Sequence, residues 1–530
     1  MSLLILFLVL MIIPYSYLSI TTDHKFYSPD ETANYVFTKN FIETNSLKIP
    51  VEINKEVNNV IFPRSVNVYN GFYVPMSFLG LPIFYGLIGK VIGLKAIIFL
   101  TPILSLLSVF LFFLIVREIF DKNIALVSAI LLLLNPIYWY LAGKAMLHNN
   151  LFLFLVIAGL FLLLKAQKEE KTIFYTISAI CFGFSIWTRT SEIVWVGVLL
   201  LLFYWYHRKN VKGLNALVFS VGFCGMVLLL FVANYLTYDN VFRSGYSSLE
   251  STVQTPLISI IKQIFLPFGF NVKHLVFHVW EFFVKYLWFI TIPAIWYMLK
   301  CAREEKADTK KFYLVTTIFL TLYLLVYYGS YWPWGEYGQP MEPQILIGSP
   351  HFRYWLPIFI FSIPFLAQFL VEGIPYLYKF KKTAKGISIV IVIILLLVFS
   401  FSNVYYSTQE GWLKMKVDIQ DFRPRIEKIS ALVETNAVLI VPDWADRIFF
   451  PEHLVIHSWG DKRIYANDSY QEVAKLLKKG PIYYYSADSN EDIDSLSSTI
   501  KKYGLSLIFV EDIFKGEKLY QVTYDRAENN

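Results

Sequence analysis

Residues Leu94–Val116 read LKAIIFLTPILSLLSVFLFFLIV, and the only charge in the run is Lys95, near its start. A bilayer core of about 30 Å takes roughly 20 apolar residues to cross as an α-helix. This stretch is long enough, and it is one of a series. The 530-residue chain is 56% hydrophobic and only 16% charged, whereas a soluble domain carries about a quarter charged residues. Further apolar runs are Leu3–Ile20, Ile124–Ala142, Asn149–Leu164, Thr172–Trp187, Glu192–Tyr206, Leu214–Leu236, Glu281–Leu299, Phe312–Ser330, Tyr354–Ile374 and Gly386–Asn403. Together they predict a polytopic α-helical membrane protein of about 11 spans. Met76–Gly93 is also apolar, but Gly and Pro interrupt it, and it reads as an interfacial helix. Counting it as a span would invert everything after it.

Lys and Arg bias sets the expected orientation. One set of short loops carries Arg117, Lys122, Lys165, Lys168 and Lys171, then Arg208, Lys209 and Lys212. Lys300, Arg303, Lys306, Lys310 and Lys311, and Lys379, Lys381, Lys382 and Lys385, continue the same side. The opposite turns hold little beyond Lys144 and Arg189. The positive-inside rule then predicts an N-in/C-out, multi-pass protein of the cell membrane. The net charge of +7 is accounted for as orientation signal, with no nucleic-acid partner implied. The first run lacks a basic n-region and a small-residue cleavage site, which predicts an uncleaved anchor. Cys181, Cys224 and Cys301 fall in spans or on the cytoplasmic side, so no external disulfide framework is expected.

Three external loops are too long to be mere connectors: Thr21 to about Val74, Thr237–Trp280 and Tyr331–Phe352. From about Tyr405 the composition becomes that of a soluble domain. Helices over Phe422–Glu434, Ser469–Lys479 and Glu491–Tyr503 alternate with strands Ala437–Val441, Pro481–Tyr485, Leu505–Glu511 and Lys518–Tyr524. That pattern predicts a small α/β sheet. The domain division is a membrane domain over 1–404, with its first external loop at 21–74, and an extracytoplasmic α/β domain over 405–530.

The residues able to carry chemistry lie near span ends on the external side. Ser28-Pro29-Asp30-Glu31 has the pattern of a capping box, with Ser at the N-cap, Pro at N1 and Glu at N3. A cap and a catalytic carboxylate are compatible there, with Glu31 capping while Asp30 points toward a site. Arg353 begins a late span, where it either snorkels to headgroups or offers a planar fork to a phosphate. Arg189 and Glu192 share a tight turn, as an ion pair or as part of a site. Lys144 and His148 fill another turn on the same predicted face. Metal ligation is weakly supported, because His24, Asp30, Glu31, His148 and His351 lack paired ligand spacing; a divalent ion stays possible. Asn467-Asp468-Ser469 is a glycosylation sequon on the external side.

With these residues in view, the chain resembles the GT-C superfamily of polyprenyl-phosphate-sugar-dependent glycosyltransferases. It is similar to the protein O-mannosyltransferases and the lipid A aminoarabinose transferases. The acidic pair Asp30-Glu31, Gly183-Phe184-Ser185-Ile186-Trp187-Thr188-Arg189, the segment from Asn234-Tyr235 to Gly245-Tyr246, and Arg353-Tyr354-Trp355-Leu356-Pro357 carry the likeness. His148-Asn149-Asn150 stands where family members often have a second acidic residue. Trp332-Pro333-Trp334-Gly335-Glu336-Tyr337-Gly338 looks faintly like an oligosaccharyltransferase motif, but it lies in a loop between spans.

The resemblance implies a membrane glycosyltransferase acting at the extracytoplasmic face. Its donor would be a polyprenyl-phosphate-linked sugar, and its acceptor a hydroxyl of a protein, lipid or glycan. Asp30 and Glu31 would be the catalytic acids, and Arg353, Arg189 and Lys144 would bind donor phosphate, with inversion at the anomeric carbon. The alternative is a non-enzymatic carrier or surface-assembly protein with an external binding domain. A carrier should place ionisable groups near mid-span, and here they cluster at span ends.

Overall fold

A computed structural model describes residues 2–246, 265–304, 307–333, 345–373, 382–442, 444–457, 468–487 and 489–525. They fold as two compact units, each gathered from separated stretches. The first comprises Met1–Thr21, Ile98–Phe231 and Ser251–Lys414, and the second Thr22–Ile97, Val232–Glu250 and Met415–Asn530.

The first unit is helical, as the apolar runs predict. Among the described residues, seven helices are long and apolar enough to cross a membrane, or up to nine if two bent pairs each count as one span. The expected runs at Ile124–Ala142 and Glu281–Leu299 are those pairs. Lys122–Leu133 and Pro136–Ala142 meet at 59°. Pro136 has no N–H to continue the ladder, and the Asn135 side chain instead accepts from the amides of Ile137 and Tyr138, both at 3.0 Å. Val272–Tyr286 and Trp288–Glu304 meet at 102°. There the Thr291 hydroxyl donates to the carbonyls of Phe283 (2.5 Å) and Leu287 (3.1 Å), which the break would leave unmatched. The two remaining expected runs form the shorter helices Ser2–Tyr15 and Thr172–Thr188.

Small residues let these helices approach. A Cβ on Gly159 would lie 2.7 Å from the Phe182 ring, and the Ser178 hydroxyl donates to the Gly159 carbonyl at 2.7 Å. Close backbone approach with a polar tie is the usual currency of packing in lipid.

The second unit holds two sheets. Strands β1 (Ile49–Pro50), β2 (Val66–Tyr69) and β3 (Phe72–Pro75) form an antiparallel sheet in the order β1-β3-β2. Asn70 and Gly71, at φ 50° and 77°, make the two-residue turn between β2 and β3, which suits an Asn-Gly pair. Strands β4 (Val438–Val441), β5 (Leu454–His457), β6 (Ile482–Ser486), β7 (Leu505–Phe514) and β8 (Glu517–Tyr524) form the larger sheet, ordered β5-β4-β6-β8-β7. β5, β4 and β6 run parallel, and β8 pairs antiparallel with β6 and β7. β5 is not among the strands expected from sequence, because its apolar run, Leu454-Val455-Ile456, is only three residues long between two histidines.

Residues 22–97 help to build this domain's core. Val57 and Ile61 are buried among Val438, Ile440, Ile456 and Ile482 on one side of the sheet. Ala33, Phe37, Val66 and Tyr73 are buried with Leu439, Val441, Phe449 and Leu519. Phe62 also makes a parallel bridge to Ile456 on β5, the edge strand.

Candidate active site

The predicted acids lie in the second unit, on the helix Pro29–Thr44. Ser28 is its N-cap in an extended conformation and Pro29 occupies N1, as the sequence indicates. The capping box does not close as expected: the Ser28 side chain makes no cap hydrogen bond, and the Ser28 carbonyl accepts from the Thr32 amide at 3.1 Å. Glu31 at N3 is buried, with 3% of its surface exposed, whereas Asp30 is half-buried. Oδ1 of Asp30 accepts a hydrogen bond from the Ser65 hydroxyl at 2.5 Å. Ser65 has a left-handed backbone, φ 62°, at the turn entering β2. No sequence signal singled out Ser65, since its contact with Asp30 spans 35 positions.

Residues 234–246 pack in the same unit. The Tyr238 hydroxyl donates to the Pro75 carbonyl at 2.8 Å, and Lys48 pairs with Asp239 at 2.8 Å. Asn67 donates to the Gly245 carbonyl at 2.5 Å, and the Tyr246 ring lies 5.1 Å from that of Phe78. Gly245 is required by close approach, because a Cβ there would lie 2.4 Å from the Met76 carbonyl. The Asn234–Tyr246 pattern thus has a structural basis in a tyrosine, a glycine and the β2–β3 hairpin.

The predicted cations lie in the first unit, which brings them to neighbouring helix ends. Arg189 joins the helix Thr172–Thr188 to the next, and both Nε and Nη2 donate to Oε1 of Glu192, at 3.0 and 2.7 Å. The Tyr328 hydroxyl completes the cluster, 3.1 Å from Arg189 and 2.8 Å from Glu192. The ion-pair reading of this turn therefore describes its geometry. Tyr354 links the pair to Arg353: its ring centroid is 5.7 Å from the Arg189 guanidinium and 5.3 Å from that of Arg353. Tyr354 also stacks on Tyr328 at 4.4 Å.

The Arg353 carbonyl accepts from the Asn149 side chain at 3.1 Å, which ties the His148-Asn149-Asn150 turn to the start of the late span. Lys144 is buried, with its ammonium 5.4 Å from the Tyr140 ring centroid. A desolvated ammonium over an aromatic face keeps part of its electrostatic stabilisation. The structure thus joins Arg189 to Arg353 through one ring, and sets Lys144 and His148 in the adjoining turn. Tyr354 stands in a quoted motif but with no role of its own, and Tyr328 carries no sequence signal, because tyrosines at helix ends are common in any membrane protein.

Among the described residues, no group of three or more His, Cys, Asp or Glu converges as a metal site. Asn467 of the sequon and residues 334–338 of the tryptophan-rich loop lie outside the described residues.

The family model described as dolichyl-phosphate-mannose-protein mannosyltransferase matches residues 74–236. No curated protein sequence matches the chain. Among solved structures, ArnT from Cupriavidus metallidurans in the apo state is similar over 98% of both chains, at 12% identity and a TM-score of 0.55. The Archaeoglobus fulgidus oligosaccharyltransferase in complex with Zn and sulfate is similar over 95% of this chain and 72% of its own, at 13% identity and a TM-score of 0.56. The chain thus shares its fold with ArnT and with the archaeal oligosaccharyltransferase.

Proposed function

We propose that this protein is a membrane glycosyltransferase that moves a sugar from a polyprenyl-phosphate donor to an acceptor hydroxyl at the extracytoplasmic face, with inversion. The observation that carries the reading is the match along essentially the whole length of ArnT, which has also been solved bound to undecaprenyl phosphate. A similar archaeal oligosaccharyltransferase, AglB, was solved with an inhibitory peptide and a dolichol-phosphate. The N-in/C-out orientation belongs to this proposal and rests on the Lys and Arg bias.

In this reading Asp30 is the general base. It takes the proton of the acceptor hydroxyl as that oxygen attacks the anomeric carbon, and the C–O bond to the lipid phosphate breaks on the opposite face. The phosphate leaves with the bonding pair, and a single displacement inverts the configuration. A positioned base contributes about 10²–10⁴-fold in rate. Arg353 and Lys144 stabilise the charge that grows on the phosphate, and Arg189 supports Arg353 through Tyr354. Such preorganised charge acts without reorganising at the moment of reaction. Glu31, buried one residue from the base, is the second acid of the pair.

The test is incubation of the purified protein with a panel of polyprenyl-phosphate sugars, following release of polyprenyl phosphate. Consumption of one donor by the wild type, and its loss in Asp30→Asn, is the expected result. Flux of a solute through reconstituted liposomes, with no donor consumed from the panel, would establish the carrier alternative instead.

A further inference from the structure

We propose that Asp446 and Arg447, on the short helix Asp446–Phe449 of the C-terminal region, are positioning residues for Asp30, acting through the Arg64–Ser65 turn and through Tyr27. This inference rests on the reading of Asp30 as the base. All of these residues belong to the second unit.

The Asp446 carboxylate is fully buried. A charge without water must be paired and hydrogen-bonded to be tolerated. It accepts from the Arg64 amide at 2.7 Å and from the Arg64 guanidinium, through Nη2 at 3.1 Å and Nε at 3.2 Å, while the Arg447 amide adds a donor at 2.7 Å. Backbone and side chain of Arg64 are thus fixed by one carboxylate. The next residue is Ser65, whose hydroxyl donates to Asp30. Its φ of 62° is a conformation that a non-glycine residue holds only when its surroundings impose it. The Asp446 anchor on the preceding residue supplies that constraint.

Arg447 acts on the other flank. Its guanidinium donates through Nη1 to the Tyr27 carbonyl and lies 4.1 Å from the Tyr27 ring centroid. Burial pushes its pKa below the usual arginine value, so the position is costly for a cation. That group is directed at the backbone just before the helix that carries Asp30. One dipeptide therefore grips both segments that meet at the carboxylate: the chain entering its helix and the turn carrying its hydrogen-bond donor. An ion pair that only tied the loop to the sheet would need neither the strained Ser65 nor the bond to Tyr27.

The test uses full-length Ser65→Ala, Asp446→Asn and Asp30→Asn variants, with dolichyl-phosphate mannose and undecaprenyl-phosphate mannose as donors. Ser65→Ala and Asp446→Asn are expected to lower kcat about tenfold or more, since small misplacements of a reacting group are costly, while donor KM stays within about twofold. Unchanged kcat in both Ser65→Ala and Asp446→Asn, beside an inactive Asp30→Asn, would overturn the positioning role and leave the base intact. An active Asp30→Asn would instead remove the base reading itself.

Amide hydrogen exchange decides the structural half independently of any donor. Asp446→Asn should speed exchange selectively at residues 28–33 and 64–66, and a uniform or absent change refutes the grip. Ser65 is half-exposed, so its alanine variant carries the kinetic test whatever Asp446→Asn does to folding.

Discussion

Arg189 and Glu192 close a buried ion pair across a single turn, with Nη2 of the arginine 2.7 Å from Oε1 of the glutamate. Their side chains are only 7% and 2% exposed, so neither charge is compensated by bulk water. Tyr328 and the Trp195 indole, which donates to Oε2 of Glu192, fill the remaining hydrogen-bonding capacity. Breaking such a pair by removing one partner leaves a buried charge behind, at a cost of about 3–5 kcal/mol. Glu192→Ala should therefore lower the thermal unfolding midpoint of the purified protein sharply. The double change Arg189→Met with Glu192→Leu should cost much less. Equal losses in the single and double variants would show that the pair is not the source of the effect.

Arg353 allows a test of donor binding that stability does not confound. A guanidinium offers a planar pair of donors to a phosphate, and an ammonium offers a point charge. Arg353→Lys should keep the fold and reduce kcat/KM for the lipid-phosphate donor, and Arg353→Ala should reduce it by about 10²–10³-fold, the scale of losing one group that stabilises developing charge. Initial rates of polyprenyl phosphate release measure both. Wild-type rates in Arg353→Ala would assign the arginine to the headgroup region instead.

Gly245 is where the second loop meets the β2–β3 hairpin. A Cβ there would press on the Met76 and Pro75 carbonyls at 2.4 and 2.5 Å, and backbone cannot swing aside as a side chain can. Gly245→Ala should destabilise the second unit by about 1–3 kcal/mol, the usual cost of overpacking. Limited proteolysis of the Val66–Pro75 hairpin should accelerate in this variant and not in Gly213→Ala, where a Cβ would meet nothing within 4 Å.

His453 gives a pH dependence with a definite sign. Burial holds its pKa below the ordinary value of 6.5, and its Nε2 lies 2.9 Å from the Ser430 hydroxyl. The unfolded chain thus takes up a proton at a higher pH than the folded one. The contribution of His453 to stability is complete above 6.5 and declines as pH falls from there toward the lowered folded value. His453→Gln should flatten the fall of the unfolding midpoint as pH drops below 6.5. An identical slope in the variant would assign the acid sensitivity to other groups.

Much of the fold is legible along the chain. Every expected apolar run is helical, because 20 residues of hydrocarbon-compatible side chains in lipid have no other way to satisfy their backbone. The bends at Pro136 and at Leu287 were less legible, since they depend on where a ladder breaks and which side chain replaces it. The alternation after Tyr405 likewise anticipates β4, β6, β7 and β8 and their helices. The hairpin turn at Asn70-Gly71 is legible in its dipeptide, whereas the short strands it joins carry little alternation.

The candidate site divides in the same way. Asp30, Arg189 and Arg353 could be named from residue type and position at helix ends. Ser65, Tyr354, Asp446 and Arg447 could not, since their significance lies in partners far along the chain.

The sequence by itself determined where helices and strands form and which charges stand at their ends. Those properties are set within windows of a few to 20 residues, by periodicity, propensity and capping. The tertiary structure decided that residues 22–97 and 232–250 share a core with 415–530, so that Ser65 reaches Asp30 and Asp446 reaches Arg64. Burial rewards any apolar face that fits, and it leaves no local mark of which distant segment will cover it.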